Sequence, residues 1–155
     1  MILFDANILV HAHALGSPFH AAAQQLRDQA SQGVVEACVS PQVLCEFFAV
    51  ITDERVVKPA LSPAQARREL HTYWHARQFQ KIVPKDNTTT RLLSLLERHD
   101  VKRADIFDAF LVATMLDNDV RIIYTQNVKD FEIYHELQVI NPLRRPSPPR
   151  ERIKQ

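Results

Sequence analysis

The chain opens on a short apolar run, Ile2-Leu3-Phe4, that ends at Asp5; this pattern predicts a buried strand with a carboxylate at its C-terminal end. Such a position suits an active site in an α/β sheet. Ser17-Pro18 supplies a cap and a first-turn proline, and Phe19, Ala22, Ala23, Leu26 and Ala30 recur at helical spacing, predicting a helix over about 18–31. Val34 to Val39 reads as a second strand. Ser40-Pro41 repeats the cap-plus-proline start before Val43, Leu44, Phe47, Phe48 and Ile51, which leaves Glu46 inside a mostly apolar helix. Ser62-Pro63-Ala64-Gln65 has the residues of a capping box and opens a helix to about Phe79. Lys81-Ile82-Val83, halted by Pro84, reads as a short strand, and Thr88 to Arg98 as a helix with a leucine face. From Arg103 to Leu116, the residues Ile106, Phe107, Phe110, Leu111, Ala113 and Thr114 describe a wide buried helix surface, while Asp105 and Asp108 share one face at i, i+3. Arg121 to Thr125 reads as a strand, Gln126 to Phe131 as a polar loop entering a short helix, and Val139-Ile140 as a last strand. This alternation predicts an α/β/α sandwich with a central, mostly parallel sheet.

With 155 residues, 46% hydrophobic and 24% charged, the chain has the size of one domain with a real core. Its two glycines, Gly16 and Gly33, exclude the Gly-rich phosphate cradles of P-loop and Rossmann proteins and a G-x-S-x-G nucleophile elbow. The longest nearly apolar run, Phe107 to Leu116, contains Asp108 and falls short of the roughly 20 residues a membrane crossing needs. The first five residues carry no basic segment of the secretory kind, so a soluble, cytoplasmic protein is expected, with Cys38 and Cys45 as small buried hydrophobes. Net charge is +1, but residues 144–155 hold Arg144, Arg145, Arg150, Arg152 and Lys154 against Glu151. The expected division is therefore a domain over 1–143 and a basic, proline-rich tail over 144–155, either solvated or in contact with nucleic acid or an acidic partner.

Asp5, Glu46, Asp105, Asp108 and Thr125-x-Asn127-x-x-Asp130 together make an oxygen-rich set. Converging carboxylates imply raised pKa values or a divalent cation, and hard oxygen ligands favour Mg²⁺ or Mn²⁺. Other signals point to ordinary structure. His71 and His75 lie at i, i+4 but lack the Glu of H-E-x-x-H and an evident third ligand. His11 and His13, close after Asp5, are read as loop residues, with a position facing substrate phosphate as the sharper alternative, and Phe19, Phe47, Phe48, Phe107 and Phe110 as core. Arg67, Arg68, Arg77 and Lys81 are read as a solvated face, with a basic rim for RNA as the sharper alternative.

Asp5-Ala6-Asn7-Ile8-Leu9, Ser40-Pro41-x-x-x-x-Glu46-Phe47, Asp105-Ile106-Phe107-Asp108-Ala109-x-x-x-Ala113-Thr114 and Thr125-x-Asn127-x-x-Asp130-Phe131 together resemble the PIN domain, in particular VapC-type toxins of prokaryotic toxin–antitoxin pairs. The resemblance spans about residues 1–140. It implies a metal-dependent endoribonuclease in which the family acids fall on Asp5, Glu46 and Asp108, with Asp105 one turn earlier. The fourth, usually the third residue of T-x-D, falls on Asn127, a poorer cation ligand, with Asp130 the nearby carboxylate that can compensate. Ser40 and Thr125 would support the site through their hydroxyls, and Asn7 would orient Asp5 or a water. The family mechanism implies in-line attack by an activated water, leaving a 5′-phosphate and a 3′-hydroxyl, with no protein nucleophile. A homodimer and a small antitoxin blocking the acids are also implied. The alternative is a catalytically weak fold that binds RNA or antitoxin. A third reading, a haloacid-dehalogenase-like phosphatase, requires D-x-D where this chain has Asp5-Ala6-Asn7.

Overall fold

A computed structural model describes residues 1–143. The basic tail expected over 144–155 lies outside the described residues. Among the described residues, twelve elements follow one another: β1 (Ile2–Phe4), α1 (Ala6–His13), α2 (His20–Ser31), β2 (Ala37–Val39), α3 (Pro41–Ile51), α4 (Pro63–His75), β3 (Gln80–Lys81), α5 (Thr88–Arg98), α6 (Asp105–Asp117), β4 (Ile122–Tyr124), α7 (Val128–Phe131) and β5 (Gln138–Ile140). The five strands form one sheet in the order β3-β2-β1-β4-β5, every pairing parallel, as the alternating pattern predicts. Helices cover a parallel sheet on both faces, which is why its strands read as unbroken apolar runs. Leu3, Phe4, Ala37, Cys38, Val39 and Ile123 are all fully buried.

Local chemistry sets the helix ends. Ser40 Oγ accepts from Val43 N–H at 3.2 Å, with Pro41 in the first turn of α3. Ser62 and Gln65 close the expected capping box on α4, which stops at His75 and frees Phe79 to pack in the core beside Tyr73, ring edge to face. Gly33, at φ +75°, turns the chain out of α2, a conformation other residues adopt only with strain. At the far end of α6, Asp117 accepts from Thr88 Oγ1 at 2.8 Å and from Arg91 Nε at 3.2 Å, tying α6 to α5.

Three expectations are corrected. His11 and His13 lie on a helix, α1, whose Ile8, Leu9, Val10 and Ala12 are buried. The helix starts directly at Ala6 because Asp5 itself caps it, so strand and helix share one apolar run with no separating polar stretch. Phe107 is 64% exposed and Ile106 38%, since they occupy the outer side of the first turn of α6, before the helix becomes enclosed from Leu111 onward. Cys45, unlike Cys38, is exposed. Accordingly, Phe47→Ala is expected to cost about 3–5 kcal/mol of unfolding free energy, and Phe107→Ala less than about 0.5 kcal/mol, as read from urea midpoints. Equal costs would return Phe107 to the core.

A candidate carboxylate site at the sheet's switch point

Strand order runs outward from β1 through β2 to β3 on one side, and from β4 to β5 on the other. Between β1 and β4 the direction of winding reverses, and ligands of open α/β sheets bind beyond the carboxyl ends of strands at such a point. Asp5 and Thr125 are the residues that follow those two strands. The ladder continues through them: Asp5 N–H donates to Tyr124 O at 3.0 Å, and Thr125 N–H to Ile140 O at 2.9 Å.

Asp5 is 4% exposed. Its Oδ1 accepts from Ala6 N–H at 2.7 Å, and its Oδ2 accepts from Asn7 Nδ2 and from Thr125 Oγ1, each at 2.6 Å. Thr125 Oγ1 in turn accepts from Asn7 Nδ2 at 3.0 Å and from Asn127 N–H at 2.9 Å. Asn7 and Thr125 both contact Asp5 directly. Ser40 acts at a remove, by capping the helix that carries Glu46. Burial raises the Asp5 pKa against the pull of these three donors, and the charge of Asp130 adds to the rise.

Two further acids share its field. Glu46, on the rim of α3, is pushed up to about 7, by desolvation first and then by the charges of Asp5 and Asp108. Asp108, in the first turn of α6, is pushed up to about 6 by desolvation, then by Asp130, Asp5 and Asp105. The positive end of the α6 dipole offsets part of this repulsion. Helix α7 packs against α6 and is held by buried Phe131, which brings Asp130 into the group, while exposed Asn127 stands at the head of α7 and makes no capping bond through its side chain. Asp105 is exposed and reaches the group only through Asp108. Among the described residues, none of Asp5, Glu46, Asp108 and Asp130 is paired with a cationic side chain.

Hard oxygen donors with mutually raised pKa values and no paired cation suit a divalent metal. Among the described residues, no three His, Cys, Asp or Glu side chains stand together as a metal-holding group. A metal here would therefore rest on one or two of these carboxylates, with waters and substrate phosphate completing its shell, the manner in which Mg²⁺ is commonly held. The contact of His11 with Gln126 is a feature of this region that the sequence reading missed; His11 Nε2 lies 2.9 Å from Gln126 Oε1. The signal available was spacing: Asn7 and His11, at i, i+4, share one face of α1.

The molecule is therefore a parallel α/β protein with an acidic site where its winding reverses, built on one buried carboxylate, Asp5, with Glu46, Asp108 and Asp130 nearer the surface around it. The chain belongs to the PIN domain family, whose model matches residues 2–135. It is 27% identical over 119 residues to VapC ribonuclease Mb2897 of Mycobacterium bovis, spanning 77% of this chain and 81% of that one; Ribonuclease VapC43 of Mycobacterium tuberculosis matches to the same extent. Among solved structures, Mycobacterium tuberculosis VapC20, described as a Sarcin-Ricin loop cleaving toxin, superposes with TM-score 0.65 at 16% identity, covering 86% of this chain and 95% of that one. A toxin–antitoxin complex from Klebsiella pneumoniae gives 0.60 at 20% identity, covering 92% and 98%. These structural likenesses establish a shared fold.

A carboxyl whose pKa is raised in the folded chain holds its proton more tightly there than when unfolded. Glu46 and Asp108 therefore favour the folded state below their ordinary values of 4.5 and 3.8, and that contribution is lost as pH rises through about 6 to 7. In metal-free buffer, Glu46→Gln and Asp108→Asn are expected to be more stable than the parent at pH 8 by about 1 kcal/mol after solvent screening, with the gain shrinking at pH 5. Urea unfolding at the two pH values measures it; a gain independent of pH would remove the penalty of ionising these carboxyls from the account.

Proposed function

We propose that this protein is an Mg²⁺- or Mn²⁺-dependent endoribonuclease, the toxin of a cytoplasmic toxin–antitoxin pair. The observation that carries the reading is the group Asp5, Glu46, Asp108 and Asp130, electrostatically coupled and without a paired cation among the described residues, at the switch point of a PIN domain. The names of the 27%-identical relatives support RNA as substrate, and the toxin–antitoxin structural neighbours support a protein partner. No helix of the described residues is long and apolar enough to cross a membrane.

When bound, the metal would polarise a phosphodiester and acidify a water. Asp5, Glu46 and Asp108 would hold it, with Asp130 supplying the charge that Asn127 lacks. The chain's own contribution begins with Asp5, whose three donors fix its carboxylate before substrate arrives. Glu46 faces the same group from α3, close enough to feel the charges of both Asp5 and Asp108, and would complete the oxygen shell directly or through a water. Coupling of Asp130 to both Asp5 and Asp108 favours an active enzyme over a catalytically weak RNA- or antitoxin-binding module. Homodimerisation belongs to the same proposal, supported by the sequence resemblance, and sedimentation of the purified chain tests it.

Partner-free protein incubated with structured RNAs in Mg²⁺, Mn²⁺ or EDTA is expected to cleave only with metal. Asp5→Asn should lower the rate at least about 100-fold with circular dichroism unchanged. Asp130→Asn should weaken Mn²⁺ binding in calorimetry, and Asn127→Asp should tighten it. Folded protein that binds RNA yet shows neither Mn²⁺ heat nor cleavage would establish the binding-module reading instead.

A further inference from the structure

His11 takes no part in the proposed reaction, yet both nitrogens of its imidazole are held. Nε2 lies 2.9 Å from Gln126 Oε1, and Nδ1 lies 2.7 Å from Ser17 Oγ. A carboxamide oxygen only accepts, so Nε2 carries the proton and Nδ1 accepts from the Ser17 hydroxyl. Ser17 Oγ is itself held by Phe19 N–H at 3.1 Å, and the Phe19 ring meets the imidazole edge to face at 5.2 Å. His20 Nδ1 donates to the His11 carbonyl at 3.1 Å. One turn earlier on α1, Asn7 Oδ1 accepts from Gln126 N–H at 3.0 Å.

Gln126 is thus gripped at its backbone by Asn7 and at its side chain by His11, from one face of one helix. It lies between Thr125, which donates to Asp5, and Asn127, whose N–H returns to Thr125 Oγ1. Helix α7 spans four residues and its first residue provides no side-chain cap, so the approach of Asn127 and Asp130 to the acids depends on how this corner is held. We infer that His11 is a positioning residue of the site: its Nε2–H, through the Gln126 carboxamide, sets the corner from which Asn127 and Asp130 face Asp5 and Asp108.

The inference rests on the metal-dependent reading, and its test separates the two. In isotope-labelled full chain without metal, the neutral His11 ring should show the Nε2–H tautomer, and His11→Ala should shift the Gln126, Asn127 and Asp130 amide resonances. An Nδ1–H tautomer, or unmoved resonances at those three residues, would overturn the grip whether or not the protein binds metal. In Mn²⁺ calorimetry, His11→Ala is expected to weaken binding about tenfold, the scale typical of outer partners of metal ligands. His11→Gln, which restores an N–H donor at that reach, should recover most of it. Gln126→Ala should match His11→Ala, and the double variant should be no worse than either, because both remove one interaction. Unchanged Mn²⁺ affinity in folded His11→Ala, or losses that multiply in the double variant, would reduce His11 to packing. Should His11→Ala unfold, Gln126→Ala carries the same comparison. If the parent chain itself neither binds Mn²⁺ nor cleaves RNA, the functional reading fails while the resonances still decide the grip.

Discussion

The Asp5 carboxylate is the constraint around which the rest is arranged. It sits nearly buried at the junction of a strand and a helix, where no side-chain cation reaches it among the described residues. A carboxylate there is tolerable only because Ala6 N–H, Asn7 and Thr125 all donate to it. Each donor fixes another part of the molecule: Ala6 starts α1, Asn7 holds Gln126, and Thr125 ends β4. The same three bonds that solvate the charge therefore lock the two central strands and the first helix into one frame.

Topology explains why the other acids arrive at the same place. Every connection of a parallel sheet returns the chain to the same edge, so the starts of α1, α3 and α7 all lie beyond strand carboxyl ends. Glu46 comes in on α3, fixed by the Ser40 cap, and Asp130 on α7, fixed by Phe131. Asp108 enters on the first turn of α6, whose opposite end is fastened to α5 through Asp117. The scaffold thus confines like charges that repel, a cost in stability that a bound cation would relieve. The raised pKa values of Asp5, Glu46 and Asp108 come from desolvation first, and the like charges around them add to it.

Much of this was legible because its signals are local. Ser40-Pro41 and Ser62-Pro63-Ala64-Gln65 name helix starts by chemistry that acts within three residues, and both caps form as read. The parallel sheet followed from alternation of apolar runs with helical patterns. Helix α1 was hidden because Asp5 ends the strand and caps the helix at once, leaving no polar boundary. Phe107 misled for the opposite reason: α6 is apolar nearly all round, so its pattern alone does not say which turn lies outside the core. Ser40 was placed correctly in sequence but its hydroxyl serves the helix, acting on the site only through Glu46.

The fourth position shows where sequence pattern stops and geometry begins. By motif spacing Asn127 occupies the usual place of an acid, and its neutral amide reads as a deficit. In the fold, Asn127 contributes through its backbone N–H to Thr125, a role its side-chain chemistry does not affect. Asp130, one turn along, is a carboxylate whose charge adds to the rise in pKa of both Asp5 and Asp108. A carboxylate at 127 as well would add a fifth charge to a group already repelling itself, with α7 held in place by little more than Phe131 and the Gln126 corner. An amide at the head of that short helix and an acid within it keep the field of the site while easing the repulsion on its least anchored element.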